Sequence, residues 1–242
     1  MTLVIGVLCN DGIVIGGDRL LVKFRATDLK TYANKITTYQ FGDGRPVIVG
    51  SAGTRQDANR ALKEIDPKSY PLRESADLTE YLEYVVEPRL SAFYARLKDA
   101  RGRPPEYSLV IGAINRDGSP TLATVYADGS FDLEVFSTMG VGAPLAELIL
   151  RDIELDSLSV EVARFLVGYI IAKVSLVHHD VDGIVNGMDI LAVRNDKPKE
   201  LLRFSDADFN KVLYLLQKIT FKDLPSQIQK VLMNGGSGNR GI

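Results

Sequence analysis

A threonine stands at position 2, directly behind the initiator methionine. Two other chemically capable residues follow at short range: Asp18, which ends an apolar stretch, and Lys35, in Tyr-Ala-Asn-Lys-Ile-Thr just ahead of another. Methionine before a small residue is commonly removed during synthesis, which would leave a free α-amino group on Thr2. Such an amine titrates at about 7.7–8.0, well placed to act as a general base at neutral pH. One residue would then carry both the nucleophilic hydroxyl and its proton acceptor, the threonine/N-terminal-amine form of covalent catalysis. On position alone, the competing readings are a strand threonine behind a retained methionine and a plain ion pair of Asp18 with Lys35.

The elements that must position these residues begin with a hairpin. The apolar runs Leu3–Cys9 and Ile13–Gly17 flank Asn10-Asp11-Gly12. A three-residue loop with Gly12 in the left-handed region is expected, because glycine supplies a positive φ without strain. It pairs Cys9 with Ile13, Val4 with Asp18 and Thr2 with Leu20, so that Thr2 and Asp18 become same-face diagonal neighbours about 7–8 Å apart. A two-residue Asp11-Gly12 turn would instead put them on opposite faces. In the expected register Val4, Leu8 and Val14 share one face and Leu3, Ile5, Val7, Ile13 and Ile15 the other. A sheet apolar on both sides must be covered on both sides, as in the interior of a layered protein.

Residues 19–34 are mixed and read as an irregular loop with short strands. Ile36–Gln40 and Pro46–Ser51 form a second strand pair, followed by a helix over Thr54–Ile65. Ala76–Ala100 has the strongest helical periodicity in the chain. Strands are expected at Tyr107–Asn115, Thr121–Tyr126 and Ser130–Phe136, helices at 144–153 and Ser159–His178, and a strand at Gly187–Arg194. After Asn195 the composition changes. A strand at Leu201–Phe204, helices at Asp206–Ile219 and Leu224–Met233 and a mobile tail from Asn234 are expected there, as a C-terminal appendage (196–242) to a domain of residues 1–195.

The segments Thr2-Leu-Val-Ile-Gly, Asp11-Gly12, Ile-Gly-Gly-Asp18-Arg, Asn-Lys35-Ile and Ser-Ala-Gly53-Thr together resemble the proteasome β-type subunits and their bacterial relatives. These form the threonine-protease branch of the N-terminal-nucleophile hydrolases. The resemblance spans roughly the first 195 residues, dense through residue 55 and thin beyond. Sixteen positions separate Thr2 from Asp18, as in that family, while Lys35 lies one residue further along than usual. It implies an α+β fold, a four-layer αββα sandwich of two antiparallel sheets flanked by helices. It also implies a threonine-type endopeptidase with Thr2 as nucleophile, Lys35 lowering the pKa of the attacking groups, and Asp18 orienting Lys35. The Ala52-Gly53 turn would aim backbone N–H groups at the oxyanion, and Asp182 would be a supporting aspartate, with Asp180 as the alternative if the loop slips. The partners implied are peptide or unfolded-protein substrates, further copies of the chain in a ring or stack, and an unfoldase ATPase or α-type subunits. No cofactor is implied.

Two departures stand out. The family's Gly-Ser-Gly turn reads Gly140-Val141-Gly142 here, and a second family serine corresponds by position to Val185. Both hydroxyls would border the Thr2 amine. Two alternatives therefore stay open: an acyl-threonine ligase or transpeptidase, in which an amine replaces water, and a catalytically silent scaffold subunit. Arg55, just after the Ala52-Gly53 turn, either reaches a substrate pocket, favouring acidic side chains, or lies on the surface at a helix start.

Lys plus Arg (29) nearly balances Asp plus Glu (31), which offers no strong field for nucleic acid or anionic membrane. The single cysteine, Cys9, excludes an intrachain disulfide and reads as a buried small hydrophobe. His178-His179 lack the companions of a metal site, and no phosphate loop, dinucleotide fingerprint or zinc pattern occurs. The opening apolar run is too short for a signal peptide and Phe165–Val177 too short for a membrane span, so a cytoplasmic location is expected.

Overall fold

β1 (Leu3–Cys9) and β2 (Gly12–Asp18) are buried along almost their whole length, so each face of the hairpin has its own cover. The computed structural model describes residues 2–22, 30–67, 77–178, 180–185, 187–218 and 228, with the backbone alone for 21–22, 30–32 and 218. β3 (Leu20–Val22) and β4 (Lys30–Tyr32) make a small separate ribbon. β5 (Ile36–Gln40), β6 (Pro46–Gly53), β7 (Tyr107–Ile114), β8 (Pro120–Val125) and β9 (Phe131–Leu133) form one antiparallel sheet in that order. β10 (Phe136–Gly140), β11 (Met188–Arg194) and β12 (Lys197–Arg203) join the hairpin in a second, ordered β10-β1-β2-β11-β12.

Three apolar cores hold these layers together. The hairpin sheet is covered by α4 (Ala143–Leu150), α5 (Val160–Val177) and α6 (Asp206–Lys218), through Leu3, Ile5, Val7 and Val14 against Phe165, Leu166 and Ile170. The other sheet is covered by α1 (Arg55–Glu64), α2 (Leu78–Tyr81) and α3 (Glu87–Arg101), the last two joined by a π turn at Leu82–Val86. Between the sheets lie Val4, Ile13, Ile15, Ile48, Val110 and Leu122. The arrangement is a four-layer αββα sandwich.

The sheets approach closely because glycines face branched side chains across the gap. A Cβ on Gly6 would stand 2.7 Å from Val110 Cγ1, on Gly50 2.5 Å from Val4 Cγ1, and on Gly112 2.1 Å from Ile13 Cδ1. Packing at this density leaves no room for another methyl. Gly112→Ala is expected to cost about 1–3 kcal/mol, read as a melting-temperature fall of about 2–4 °C per kcal/mol.

The hairpin register differs from the sequence expectation. Cys9 pairs with Gly12 and Val4 with Gly17, leaving a two-residue Asn10-Asp11 loop. Tertiary contacts decide the turn: the Asp11 carboxylate accepts the Val160 N–H at 2.6 Å, and the Asn10 N–H reaches the Leu158 carbonyl at 2.9 Å. Gly12 has φ 159°, close to fully extended, and is required instead for close approach, since a Cβ would meet the Val193 carbonyl at 2.2 Å. Ile13 and Ile15 therefore join Val4 between the sheets, while Val14 faces the helices.

Two further expectations are corrected in detail. Ser130–Phe136 is not one strand: β9 belongs to one sheet and β10 to the other, and the chain crosses between them at Glu134 and Val135. Leu133 and Val135 are both exposed there, so the alternation that suggested one continuous strand has no single buried face. The long periodic helix carries the π turn, which shifts its stripe by one residue midway. It begins at a capping box of Asp77 and Glu80.

Beyond Asn195, β12 extends the hairpin sheet and α6 packs on α5, pinned by Arg164, whose guanidinium lies 3.2 Å from the Asp208 carboxylate. Ile228 is buried against the same core. The helix expected at Leu224–Met233 and the tail from Asn234 otherwise lie outside the described residues. Among the described residues no helix is long and apolar enough to cross a membrane.

Candidate active site

Asp18 sits at the end of β2 and is essentially sealed from solvent. Its Oδ1 accepts the Leu3 N–H at 2.7 Å and the Lys35 ammonium at 2.8 Å. Its Oδ2 accepts the N–H groups of Leu20 at 3.1 Å and Asp182 at 3.4 Å. A buried carboxylate is tolerated when donors and a countercharge surround it, as they do here. Lys35, immediately before β5, is 5% exposed. Burial pushes its ammonium below the ordinary lysine range, and the Asp18 charge and hydrogen bond pull it back up.

Thr2 precedes β1 and is also buried. Leu3 pairs with Gly140, and a Cβ on Gly140 would lie 2.0 Å from the Thr2 carbonyl oxygen. Gly140 also has φ 95°, a left-handed backbone that side chains disfavour. Gly140→Ala should therefore displace the start of the chain, and the expected loss of about 1–3 kcal/mol is measurable by denaturant unfolding. The Gly142 N–H approaches the same carbonyl at 3.5 Å, so the Gly140-Val141-Gly142 turn wraps the start of the chain.

The observed register puts Asp18 on the helix side of its sheet with Leu3, and the alternation puts Thr2 on the opposite side. The expected same-face pairing of Thr2 and Asp18 is thus not found. They are linked through the backbone instead, because Asp18 holds the N–H of the residue after Thr2. Lys35 spans the strand end, binding Asp18 while lining a cavity of about 310 Å³ together with Thr2. Ser51, Ala52 and Gly53 of β6 form one wall of that cavity, and Arg55, Ala58 and Asn59 of α1 form another.

Gly53 ends β6 at φ 101°, where a Cβ would meet the Glu106 carbonyl at 2.4 Å. Only glycine makes that turn into α1 while leaving the wall open. Asp182 reaches the site through its backbone N–H; one of its carboxylate oxygens closes its own loop by accepting the Val185 N–H at 2.9 Å. Val141 and Val185 are 41% and 82% exposed. The sequence expectation did not include Asn34 and Asn59, which also line the cavity. Asn59 was accessible in principle, since 55, 58 and 59 share one helical face.

Cys9 is buried, and burial, with the Asp11 charge adding, pushes its thiol far up, so it stays protonated. Among the described residues no group of His, Cys, Asp and Glu is arranged to hold a metal ion. His178 ends α5, and His179 lies outside the described residues. A second cavity, about 370 Å³, carries Glu134 and Glu147 and includes none of Thr2, Asp18 or Lys35.

No family model matches the chain. A proteasome subunit beta of Methanosarcina barkeri (strain Fusaro / DSM 804) is 26% identical over 155 residues, covering 62% of this chain and 67% of that protein. Among solved structures, a Gly-1 mutant of Anbu from Hyphomicrobium sp. strain MC1 aligns with a TM-score of 0.70 at 15% identity, covering 100% of this chain and 99% of that one. Anbu from Yersinia bercovieri, described as an ancestral beta-subunit, aligns at 0.71 and 13% identity over 99% and 98% of the two chains. At such identities the structural likeness is one of fold.

Proposed function

We propose that this chain, a proteasome-β-like N-terminal-nucleophile hydrolase in its fold, is a threonine amidohydrolase that cleaves peptide bonds from Thr2. The observation that carries the proposal is the shared cavity: Thr2, the glycine turn at Gly53 and a lysine bound to a buried aspartate line or support one space. Removal of Met1 frees the Thr2 amine. That amine takes the proton of the Thr2 hydroxyl as its oxygen attacks the substrate carbonyl carbon. Backbone N–H at Gly53 stabilises the oxyanion. Collapse of the tetrahedral intermediate passes the proton to the departing amine and leaves an ester on Thr2. Water, deprotonated by the same amine, then releases the acid and regenerates the hydroxyl.

Lys35 supplies positive charge beside these steps and Asp18 positions it. The free amine of an N-terminal residue has a reference titration of about 7.7–8.0. Accordingly kcat/KM for a peptide substrate is expected to rise with pH through that titration and then level off, since only the neutral amine accepts a proton. A rate that falls over this range would contradict the assignment of the base. The reaction itself is tested by incubating the chain with denatured casein and sequencing new peptide termini. Added amine nucleophiles incorporated into the products would show a ligase or transpeptidase instead.

A second reading, a silent scaffold subunit, is favoured by Val141 and Val185, which offer no hydroxyl at the chain start. It predicts no cleavage and a retained Met1. In either role the subunit assembles with copies of itself, and sedimentation is expected to show a species several times the 26.6 kDa of one chain.

A further inference from the structure

We infer that the Thr2 cavity selects substrates with an acidic side chain on the acyl side of the cleaved bond, and that Arg55 is the residue that selects it. This inference rests on the threonine-hydrolase reading and names its substrate class. The charge inventory of the cavity carries it. Among the described residues that line it there are two cations, Lys35 and Arg55, and no carboxylate. Lys35 is already matched by Asp18 at 2.8 Å. Arg55 makes no ion pair among the described residues, and it stands at the first turn of α1 on the rim of the space that Thr2 lines.

The carboxylates that might have neutralised Arg55 are turned elsewhere. Asp57, two residues on, is buried and held by Arg101 at 2.6 Å, and it also accepts the Glu106 N–H at 3.4 Å. Glu106 itself lies 3.8 Å from Arg103. The remaining polar liners, Asn34, Ser51 and Asn59, are neutral. A carboxylate entering the cavity therefore meets an uncompensated guanidinium with a planar fork of donors suited to it. A lysine or arginine side chain would meet like charge, and an aliphatic one would leave the guanidinium without a partner.

The test uses threonine-directed peptide electrophiles that differ only in the residue next to the reactive group: glutamate, leucine or lysine. Adduct formation on Thr2 is followed by intact mass. The glutamate probe is expected to label about five- to tenfold faster than the leucine probe and faster still than the lysine probe. That preference should shrink as salt rises, because the rim is partly open to solvent. Arg55→Gln should bring the glutamate-to-leucine ratio close to one, and Arg55→Glu should move the preference to the lysine probe. Labelling with equal rates, or an unchanged ratio in Arg55→Gln, overturns the inference while leaving Thr2 as nucleophile. Failure of every probe to label overturns the underlying reading instead.

Discussion

Thr2→Ala is expected to abolish peptide cleavage, lowering kcat/KM by a factor on the order of 10⁴–10⁶, while the protein still folds. The first part follows because the hydroxyl is the proposed nucleophile and no neighbouring group can replace it: Cys9 is buried with a protonated thiol, and Ser51 lacks an attached amine. The second part follows from the small size of the change. Removing one hydroxyl and one methyl from a buried site costs about 1–2 kcal/mol, against three apolar cores left intact. Thr2→Ser should keep part of the rate, since it preserves both amine and hydroxyl. Kinetics on the purified variants, with circular dichroism melts beside them, check both halves. Full activity in Thr2→Ala would exclude an N-terminal-threonine mechanism.

The second large effect concerns the buried ion pair. Asp18→Ala leaves the Lys35 ammonium without its carboxylate and leaves the N–H groups of Leu3, Leu20 and Asp182 facing the removed acceptor. Breaking such a pair costs about 3–5 kcal/mol, and loss of the Leu3 contact also loosens the segment that holds Thr2. Lys35→Met should cost less, because the Asp18 carboxylate keeps its three backbone donors. The double variant Asp18→Asn/Lys35→Met carries no charge at this pair and retains an acceptor, so its loss should fall well short of the sum of Asp18→Ala and Lys35→Met. All three are expected to be inactive. Stability from urea unfolding, set beside activity, separates the roles: the double variant folds but does not cleave. A stable and active Lys35→Met would remove the lysine from the mechanism.

Much of this architecture was legible in the sequence because burial on both faces leaves a plain signal. The run Leu3–Cys9 could be read as an interior strand from apolar continuity alone, and Pro46–Ser51 as a strand that the structure extends to Gly53. What was not legible depended on contacts far along the chain. The hairpin loop follows from Asp11 meeting Val160, a partner 149 positions away, so local turn preferences chose the wrong register. The crossing from β9 to β10 was hidden in an alternating stretch whose apolar members, Leu133 and Val135, both face out. At the site, Asp18 and Lys35 were readable by type and spacing and do meet, at 2.8 Å. The route from Asp18 to Thr2 runs through the Leu3 backbone N–H, and a backbone donor leaves no mark in residue identities. Gly140 illustrates the same limit: the need for glycine comes from the Thr2 carbonyl packed against it, not from the turn in isolation.

In the proposed enzyme the working chain begins at Thr2, with its amine and hydroxyl serving one reaction. The most direct measurement is tandem mass spectrometry of the purified protein before and after exposure to an electrophile that bridges a vicinal amine and hydroxyl. An amino terminus at Thr2 and a single added mass confined to that residue, absent from Thr2→Ala, are expected. A chain that still carries Met1, or an unmodified Thr2 after exhaustive treatment, would contradict the proposal.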